Sequence, residues 1–341
     1  MADALREVVR VESGGGATLY VLPVTAFPGH VTNAVLVDHP EYRLLFDLGT
    51  ASALTELERR MEEARDRFGL RTTLDDLDLV LFSHGHTDHF GGAHALAARG
   101  VPLAIHTLDA RVLEHAEERR QLFRRDLRAC LRRAGVGEVE RLAALYGSLK
   151  QPFADLPVDR RVRHGERIGP GWEVLHTPGH HPGLICLQVD EVVLTGDHLL
   201  EGITPVQQPA SLVPGCGVGA YLSSLRLLEQ AGPFALGIGA HGGLIPDVAL
   251  RIRQTRAHHL ARLRRTRAAC EARALTVSEV AGALFGSPPG YGAILAVLEA
   301  GAHVELLHQL GALAVENLDG LDDPDHTPRF RAVSDAPLEP C

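Results

Sequence analysis

Metal-capable side chains are concentrated in residues 83–92, which read Ser-His-Gly-His-Thr-Asp-His-Phe-Gly-Gly. The candidate ligands in this run are His84, His86, Asp88 and His89. A buried cluster of this polarity is costly unless a cation satisfies it, and Gly85 lets the backbone turn tightly between the first two histidines. The chemistry that these residue types indicate is therefore metal binding.

The elements that must position these side chains are strands that end in loops. The apolar stretch 79–82 directly before the run predicts a buried strand. A second strand and loop are expected at 172–183, where two Pro-Gly pairs surround His180 and predict a rigid loop. Asp197 follows the apolar run 192–196, and His241 lies in a Gly-rich segment. The sequence thus predicts several polar side chains at strand ends.

The composition is that of an ordinary globular chain of 341 residues, with 45% hydrophobic and 23% charged residues. The start of the chain has no apolar core of a secretory signal, and no window approaches about 18 uninterrupted apolar residues. The five cysteines form no Cys-x-x-Cys pair, which indicates nitrogen and oxygen ligands and a reducing compartment. We therefore expect a cytoplasmic protein without a membrane span.

The order of predicted elements favours an α/β protein. Runs at 17–24, 33–38 and 43–47 predict an opening meander of strands, and 52–68 predicts an amphipathic helix capped by Ser52. A helix and a strand are expected after the metal-capable run. Residues from about 109 to 155 form a helical insertion rich in Arg and Glu, which is either a lid over the site or a solvated hairpin.

The C-terminal part has a different character. Residues 251–273 predict a long helix with many arginines, and Thr276 with Glu279 predicts a capping box that opens the next helix. A third helix and a short apolar run complete the layout of a winged helix over 251–316. The remaining residues, 317–341, are rich in Asp and Pro and predict a flexible tail.

The run His84-Gly85-His86-Thr87-Asp88-His89 resembles the signature of the metallo-β-lactamase superfamily. The Thr-Pro-Gly-His loop, the Gly-Asp at 196–197 and the loop at 237–243 are similar to the family's later ligand loops. The resemblance implies a four-layer αββα sandwich over residues 1–250, and the C-terminal part resembles the winged-helix tail of one hydrolase branch, the hydroxyacylglutathione hydrolase and thioesterase-like one. The metal ligands that it implies are His84, His86, Asp88, His89, His180, Asp197 and His241.

The resemblance also implies how the ligands divide. His84, His86 and His180 would hold one cation and Asp88, His89 and His241 another, with Asp197 and a hydroxide shared between them. Two such cations, about 3.5–4 Å apart, make a bridging water nucleophilic near neutral pH. We expect two zinc ions, while the same ligands accept iron or manganese and a single-iron oxidation centre also exists in the superfamily. Asp88 is the predicted catalytic residue because its carboxylate can hold the nucleophile's proton.

Four further residues are candidates for substrate contact or for support of the ligands. Asp47 is expected to orient a loop or a ligand histidine. His30 is either a substrate contact or a histidine of a surface turn, and we expect the turn. His181 and His198 follow two implied ligands directly, and we expect His198 to face the cleft.

The function that we expect is hydrolysis of a thioester or a related acyl ester or lactone. The alternative is a single-stranded RNA endonuclease that uses the same metal site, because some relatives with a winged-helix tail have that activity. A net charge of −9 and 5% aromatic residues disfavour nucleic acid as a partner, so we expect the winged helix to serve packing or homodimerisation. A β-lactam substrate is not favoured in a cytoplasmic chain, and a regulator with an idle metal fold is disfavoured by the complete ligand set.

Overall fold

The computed structural model describes residues 4–149, 153–323, 326–333 and 338. The strands are β1 (Val9–Glu12), β2 (Thr18–Phe27), β3 (His30–His39), β4 (Tyr42–Phe46), β5 (Leu79–Phe82), β6 (Leu103–His106), β7 (Arg160–Val162), β8 (Arg167–Ile168), β9 (Trp172–His176), β10 (Ile185–Val189), β11 (Val192–Gly196), β12 (Leu236–Gly239), β13 (Leu244–Ile245), β14 (Leu313–Val315) and β15 (Phe330–Ala332). The helices are α1 (Leu54–Phe68), α2 (Thr87–Phe90), α3 (Ala93–Ala98), α4 (Ala110–Glu114), α5 (Ala116–Arg133), α6 (Val139–Leu149), α7 (Val218–Ala231), α8 (Val248–Ala269), α9 (Val277–Phe285) and α10 (Tyr291–Gln309). Strands and helices are mixed along the chain, so the predicted α/β class is confirmed.

The described residues fall into two compact units. The first takes its residues from Met1–Glu117, Pro152–Pro205 and Ser224–Arg253, and the second from Glu118–Gln151, Val206–Ser223 and Gln254–Cys341. This division differs from the predicted boundary at residue 250, because α8 begins before it and most of the helical insertion belongs to the second unit. Residues 150–152, within the predicted insertion 109–155, lie outside the described residues.

Two sheets form the body of the first unit. A seven-stranded sheet runs in the order β1 to β7, and a six-stranded sheet runs in the order β13-β12-β11-β10-β9-β8. Side chains of both sheets, such as Leu81 and Leu194, share one buried cluster, whereas Leu57 and Met61 of α1 pack in a second cluster with other side chains of the first sheet. Burial of these apolar faces contributes roughly 25 cal/mol per Å² of area removed from water.

Strand direction explains where the polar loops meet. The meander β2 to β4 is antiparallel, as predicted, and an unpredicted strand β1 pairs antiparallel with β2, but β4, β5, β6 and β7 run parallel. Parallel neighbours end at the same edge of a sheet, and this brings together the loops that follow β4, β5 and β6. In the other sheet β11 and β12 are also parallel, so the segments after them, with Asp197 and His241, meet at one edge as well.

The second unit contains most of α5 and α8, the beginning of α7, the whole of α6, α9 and α10, and a two-stranded sheet. Helix α9 begins with the predicted capping box, in which Thr276 Oγ1 accepts from the Glu279 N–H and the Glu279 carboxylate accepts from the Thr276 N–H. After α10, β14 pairs antiparallel with β15. Strand β15 lies within the predicted tail 317–341. Backbone hydrogen bonds therefore hold residues 326–333 in the second unit, and these residues do not form the predicted flexible tail. Asp325 of that tail lies outside the described residues.

The start of α1 differs from the prediction. Ser52 does not cap α1, because a short 3-10 helix precedes α1 and the Ser52 hydroxyl bonds to Thr50 Oγ1 at 2.9 Å instead.

Among the described residues, no helix combines the length and the apolar character that a membrane crossing needs.

Candidate metal centre

Three histidines converge at the edge of the first unit's sheets. His84 and His86 follow β5, and His180 lies in the loop after β9. The Nε2 atom of His84 is 2.9 Å from Nδ1 of His86, and Nε2 of His180 is 3.1 Å from the same nitrogen. Two nitrogen ligands on one tetrahedral zinc, each bonded at about 2.05 Å, are about 3.3 Å apart. The three rings therefore have the spacing of a metal-binding group.

A second group forms around His89 and His241. The Nε2 atom of His241 lies 3.2 Å from Oδ1 of Asp197 and 3.6 Å from Oδ2 of Asp88, and Nε2 of His89 is 3.6 Å from Oδ2 of each carboxylate. A hydrogen bond on the opposite side of the His241 ring fixes its orientation, because its Nδ1–H donates to the Val31 carbonyl at 2.7 Å. When the His241 ring is neutral, such a bond directs the lone pair of Nε2 towards the carboxylates, where a cation could bind.

Asp197 belongs to both groups. Its Oδ2 atom lies 3.5 Å from Nε2 of His180 and 3.8 Å from Nε2 of His84, while Oδ1 faces His241. The ligand atoms of His84, His86, His180 and Asp197 lie within 4.8 Å of one another, and those of His89, Asp197 and His241 do so too. The structure thus brings together all the predicted ligands, with Asp88 beside the second group.

The donor set fits metal ions. Nε2 of His89 and Oδ1 of Asp197 are buried atoms without a hydrogen-bond partner among the described residues, and each such atom costs about 1–3 kcal/mol when unpaired. The ligands are imidazole nitrogens and carboxylate oxygens, which suit zinc, iron or manganese. The site therefore has the unpaired buried atoms that a bound cation would satisfy, but the donors do not select one metal.

Electrostatics divides the site into charged and neutral groups. Burial would raise the pKa of Asp197, but the charges of His241 and His89 outweigh burial and hold it well below its usual range. The pKa of Asp88 is likewise lowered, because His89 and His30 outweigh burial. Burial, followed by the neighbouring histidines, lowers the pKa of His84 well below its usual value. The carboxylates are therefore ionised and His84 is neutral, which are the states that bind a cation. Burial would lower the pKa values of His89 and His241, but the neighbouring carboxylates raise both, so a bound cation would have to displace protons from these two rings.

Asp47 holds Ser83 and His89 in position. Its Oδ2 atom accepts from the Ser83 hydroxyl and lies 2.8 Å from Nδ1 of His89, and Oδ1 accepts from the Ser83 N–H. The residue is fully buried and adopts a φ of 59°, a left-handed conformation that Asp tolerates better than most residues. This arrangement agrees with the supporting role expected for Asp47, because it fixes the His89 ring with Nε2 towards the carboxylates.

Asp109 is a supporting residue that the sequence did not reveal. Its Oδ2 atom accepts from the Gly85 N–H at 2.9 Å and lies 2.6 Å from Nδ1 of His181, and Oδ1 accepts from the Gly183 N–H at 2.9 Å. Its place before α4 is typical of a helix cap, yet its side chain makes no capping bond. The only signal was a polar residue after a predicted strand, and its partners are distant in sequence.

The remaining candidates differ in exposure. His30 was expected in a surface turn, but its Nε2 lies 3.1 Å from Oδ2 of Asp88 and its ring centroid is 4.2 Å from that of His241. His181 is held by Asp109 with its ring 4.9 Å from that of His86. His198 was expected to face the cleft, but it is fully buried, and burial lowers its pKa to about 3. His198 therefore packs behind the site and cannot reach a substrate.

Comparisons with known proteins agree with this geometry. The model of the metallo-β-lactamase superfamily matches residues 28–241, which is well over half of the chain and includes every candidate ligand described above. The chain belongs to the metallo-β-lactamase superfamily. Its sheets and helices have the mixed α/β fold of that family.

Individual relatives are more distant. A lactamase-like protein, vrtG, from Penicillium aethiopicum is 25% identical over 272 residues, which are 76% of this chain and 69% of that protein. The atrochrysone carboxyl ACP thioesterase AacuM of Aspergillus aculeatus is 30% identical over 126 residues, which are 33% of this chain and 37% of that one. The chain thus matches little more than a third of the thioesterase.

Two solved structures resemble nearly the whole chain. A metallo-β-lactamase family protein from Thermus thermophilus has a TM-score of 0.73 at 25% identity, and the match covers 92% of this chain and 98% of that one. A β-lactamase domain protein from Burkholderia ambifaria has a TM-score of 0.70 at 26% identity, with 95% and 93% covered. The similarity therefore extends beyond the family model into both units.

Proposed function

We propose that this protein is a hydrolase that uses two divalent cations to cleave a thioester or a related acyl ester or lactone. The observation that carries the proposal is the position of Asp197 between two groups of histidines, with Oδ2 towards His84 and His180 and Oδ1 towards His241. A carboxylate in this position can bind one cation through each oxygen. The seven predicted ligands are the proposed metal-binding residues.

The cations would lower the pKa of a bound water and polarise the acyl carbonyl. The protein's own residues supply position and proton handling. Asp88 is only partly buried, and we propose that its carboxylate accepts a proton from the attacking water. His30 lies on the exposed side of Asp88, with 44% of its side chain accessible. We propose that His30 contacts the substrate and orients Asp88 through the 3.1 Å contact.

The acyl substrate is proposed from similarity. The relative AacuM is described as a thioesterase for an acyl carrier protein, and its 30% identity over 126 residues supports thioester chemistry for this chain. We propose zinc as the metal because neutral imidazoles and carboxylates without thiolates suit it. The winged-helix assignment of residues 251–316, a homodimer and a cytoplasmic location stay predictions, as does the expectation that nucleic acid is not a partner.

The decisive experiment joins metal content with activity. Protein purified without added metal is analysed for zinc, iron and manganese per chain, and is assayed against short-chain and long-chain acyl thioesters, a lactone and a labelled single-stranded RNA. About two zinc ions per chain with thioester turnover supports the proposal. RNA cleavage without thioester turnover would instead establish the nuclease, and one iron without hydrolysis would indicate oxidation chemistry.

A variant pair makes the test specific. Asp197→Ala removes the shared carboxylate, and we expect loss of at least one metal per chain and of turnover by a factor of at least about 10³, because each metal loses a ligand. Asp66→Ala is the matched control, since Asp66 is an exposed carboxylate on α1. Full activity and two metals in Asp197→Ala would refute the assignment of the site.

A further inference from the structure

The second unit contains its own group of metal-capable side chains. His259 lies on α8, and Glu299 and His303 lie four residues apart on α10. One nitrogen or oxygen atom from each residue lies within 4.8 Å of the others. His259 and His303 are fully buried and Glu299 is 4% exposed. Three buried ionisable residues in contact require an explanation, because unpaired polar groups in the interior are costly.

The spacing of the two imidazoles matches metal ligands. Nδ1 of His259 is 3.3 Å from Nε2 of His303, which is about the separation of two nitrogen ligands on a tetrahedral zinc. The same kind of approach occurs at the candidate metal centre, where ring nitrogens are 2.9 and 3.1 Å apart. The two clusters therefore share a close approach of ring nitrogens, which a cation bound between the rings would explain.

Hydrogen bonds fix the direction of the His303 lone pair. The Nδ1–H of His303 donates to the backbone carbonyl of Glu299 at 2.7 Å, so Nε2 carries a lone pair that faces His259. An imidazole anchored through one nitrogen to a carbonyl is the usual arrangement of a metal-binding histidine. This anchor leaves Nε2 of His303 as an available ligand atom.

His259 is not satisfied by protein groups alone. If its Nδ1–H donates to His303, its Nε2 is an acceptor without a partner in the described structure. If its proton is on Nε2, two lone pairs face each other at 3.3 Å. A cation between Nδ1 and the His303 nitrogen removes that repulsion, because both lone pairs then point at a positive charge.

Glu299 completes the donor set. Its carboxylate is held in place by the Arg262 guanidinium, which donates to Oε1 at 2.5 Å, and by the Gln207 N–H, which donates to Oε2 at 2.6 Å. Each carboxylate oxygen has a second lone pair that these bonds do not use. Two imidazoles and one carboxylate form a donor set that occurs in zinc and iron sites.

Protons do not compete for the imidazoles. Burial lowers the pKa of His303 to about 3, and burial is also the main reason that the pKa of His259 lies well below its usual value. Both rings are therefore neutral at physiological pH, which is the state that binds a metal.

We propose that His259, Glu299 and His303 bind an additional divalent cation of the zinc type, which cross-links α8 and α10 within the second unit. Because the three side chains are buried, a substrate would have no access to the ion, and we propose a structural role for it. The proposal is independent of the hydrolase function, since none of the three residues belongs to the candidate metal centre.

The test compares metal content between variants. Wild type and His303→Gln are saturated with Zn²⁺, freed of excess metal by gel filtration, and analysed for zinc per chain. Glutamine keeps a polar group that can bond to His259 but is a poor zinc ligand. We expect His303→Gln to bind one zinc ion fewer per chain than wild type, whatever number of ions the candidate metal centre holds. We also expect a lower midpoint temperature of thermal unfolding. His258→Ala is the control, because His258 is the exposed neighbour on α8, and we expect it to keep the wild-type zinc content.

Equal zinc content in wild type and folded His303→Gln would overturn the proposal and leave a hydrogen-bonded cluster without an ion. A second measurement covers the case in which the variant does not fold. Crystals of wild-type protein grown with Zn²⁺ are measured on both sides of the zinc absorption edge. An anomalous peak between His259 and His303 supports the proposal, and its absence, with peaks present near Asp197, refutes it.

Discussion

Asp109 accepts a hydrogen bond from the backbone N–H of Gly85 at 2.9 Å, and this contact joins two loops that carry metal-capable histidines. Gly85 separates His84 from His86, while the other oxygen of Asp109 holds Gly183 in the loop of His180. A Cβ atom on Gly85 would lie 2.9 Å from Cε1 of His181, so the approach requires glycine. The relative position of the two loops therefore depends on one buried carboxylate.

The first prediction concerns this carboxylate. In Asp109→Asn the amide group can accept at only one atom, so one of the two backbone N–H groups loses its partner. We expect zinc affinity to fall by about 10–100-fold, as is common when support of metal ligands is lost. The zinc affinity of each variant is measured by competition with a chromogenic chelator. Asp155→Asn is the control, because Asp155 also accepts a backbone N–H, from Ala116, but is exposed. Unchanged affinity in Asp109→Asn would contradict the positioning role.

The second prediction concerns Asp47 and His89. Asp47→Asn retains a residue that tolerates the positive φ, but the neutral amide no longer stabilises the His89 ring by charge. We expect a loss of about 10–100-fold in zinc affinity or in kcat/KM, with secondary structure unchanged by circular dichroism. Asp190→Asn provides the comparison, since Asp190 has a similar φ of 52° in an exposed turn. Similar affinities in both variants would remove Asp47 from the site.

The third prediction separates substrate contact from metal binding at His30. Because His30 touches Asp88 and is the most exposed histidine of the group, His30→Ala should keep the metal content and change KM or the preference among acyl chains by about tenfold, equal to roughly 1.4 kcal/mol. Metal analysis and a thioester panel measure these effects. His94→Ala, an exposed histidine on α3, should behave as wild type. Loss of one metal in His30→Ala would make His30 a ligand.

The fourth prediction is a pH dependence of stability at the start of α9. The Thr276 N–H, the two arginines Arg273 and Arg329, and their charges lower the pKa of Glu279 from 4.5 to about 2. A depressed pKa stabilises the folded state above the ordinary pKa of 4.5, and this contribution is lost as the pH falls from 4.5 towards 2. Wild type should therefore unfold at a higher temperature than Glu279→Gln at pH 7, and the difference should shrink as the pH falls through that window. A difference independent of pH would contradict the electrostatic cause.

The candidate ligands could be picked out from the sequence because their signals are local. Each comes soon after an apolar strand, with Asp88 and His89 in the short helix α2 and the others in loops, and the residue types and the neighbouring glycines and prolines are visible within a few positions. The capping box of Thr276 and Glu279 was predictable for the same reason, since it depends on residues three positions apart. Local spacing is thus enough to indicate a metal site, an α/β class and the start of a helix.

Only the tertiary structure decided which side chains support that site and which are exposed. Asp109 bonds to Gly183, 74 residues away, and β15 pairs with β14 within what looks like a flexible tail. His30 was expected in a surface turn and His198 in the cleft, but His30 is half exposed beside Asp88 and His198 is fully buried. The physical reason is that exposure and long-range hydrogen bonds depend on how strands pair and pack, whereas residue type and spacing determine only what each strand end can offer.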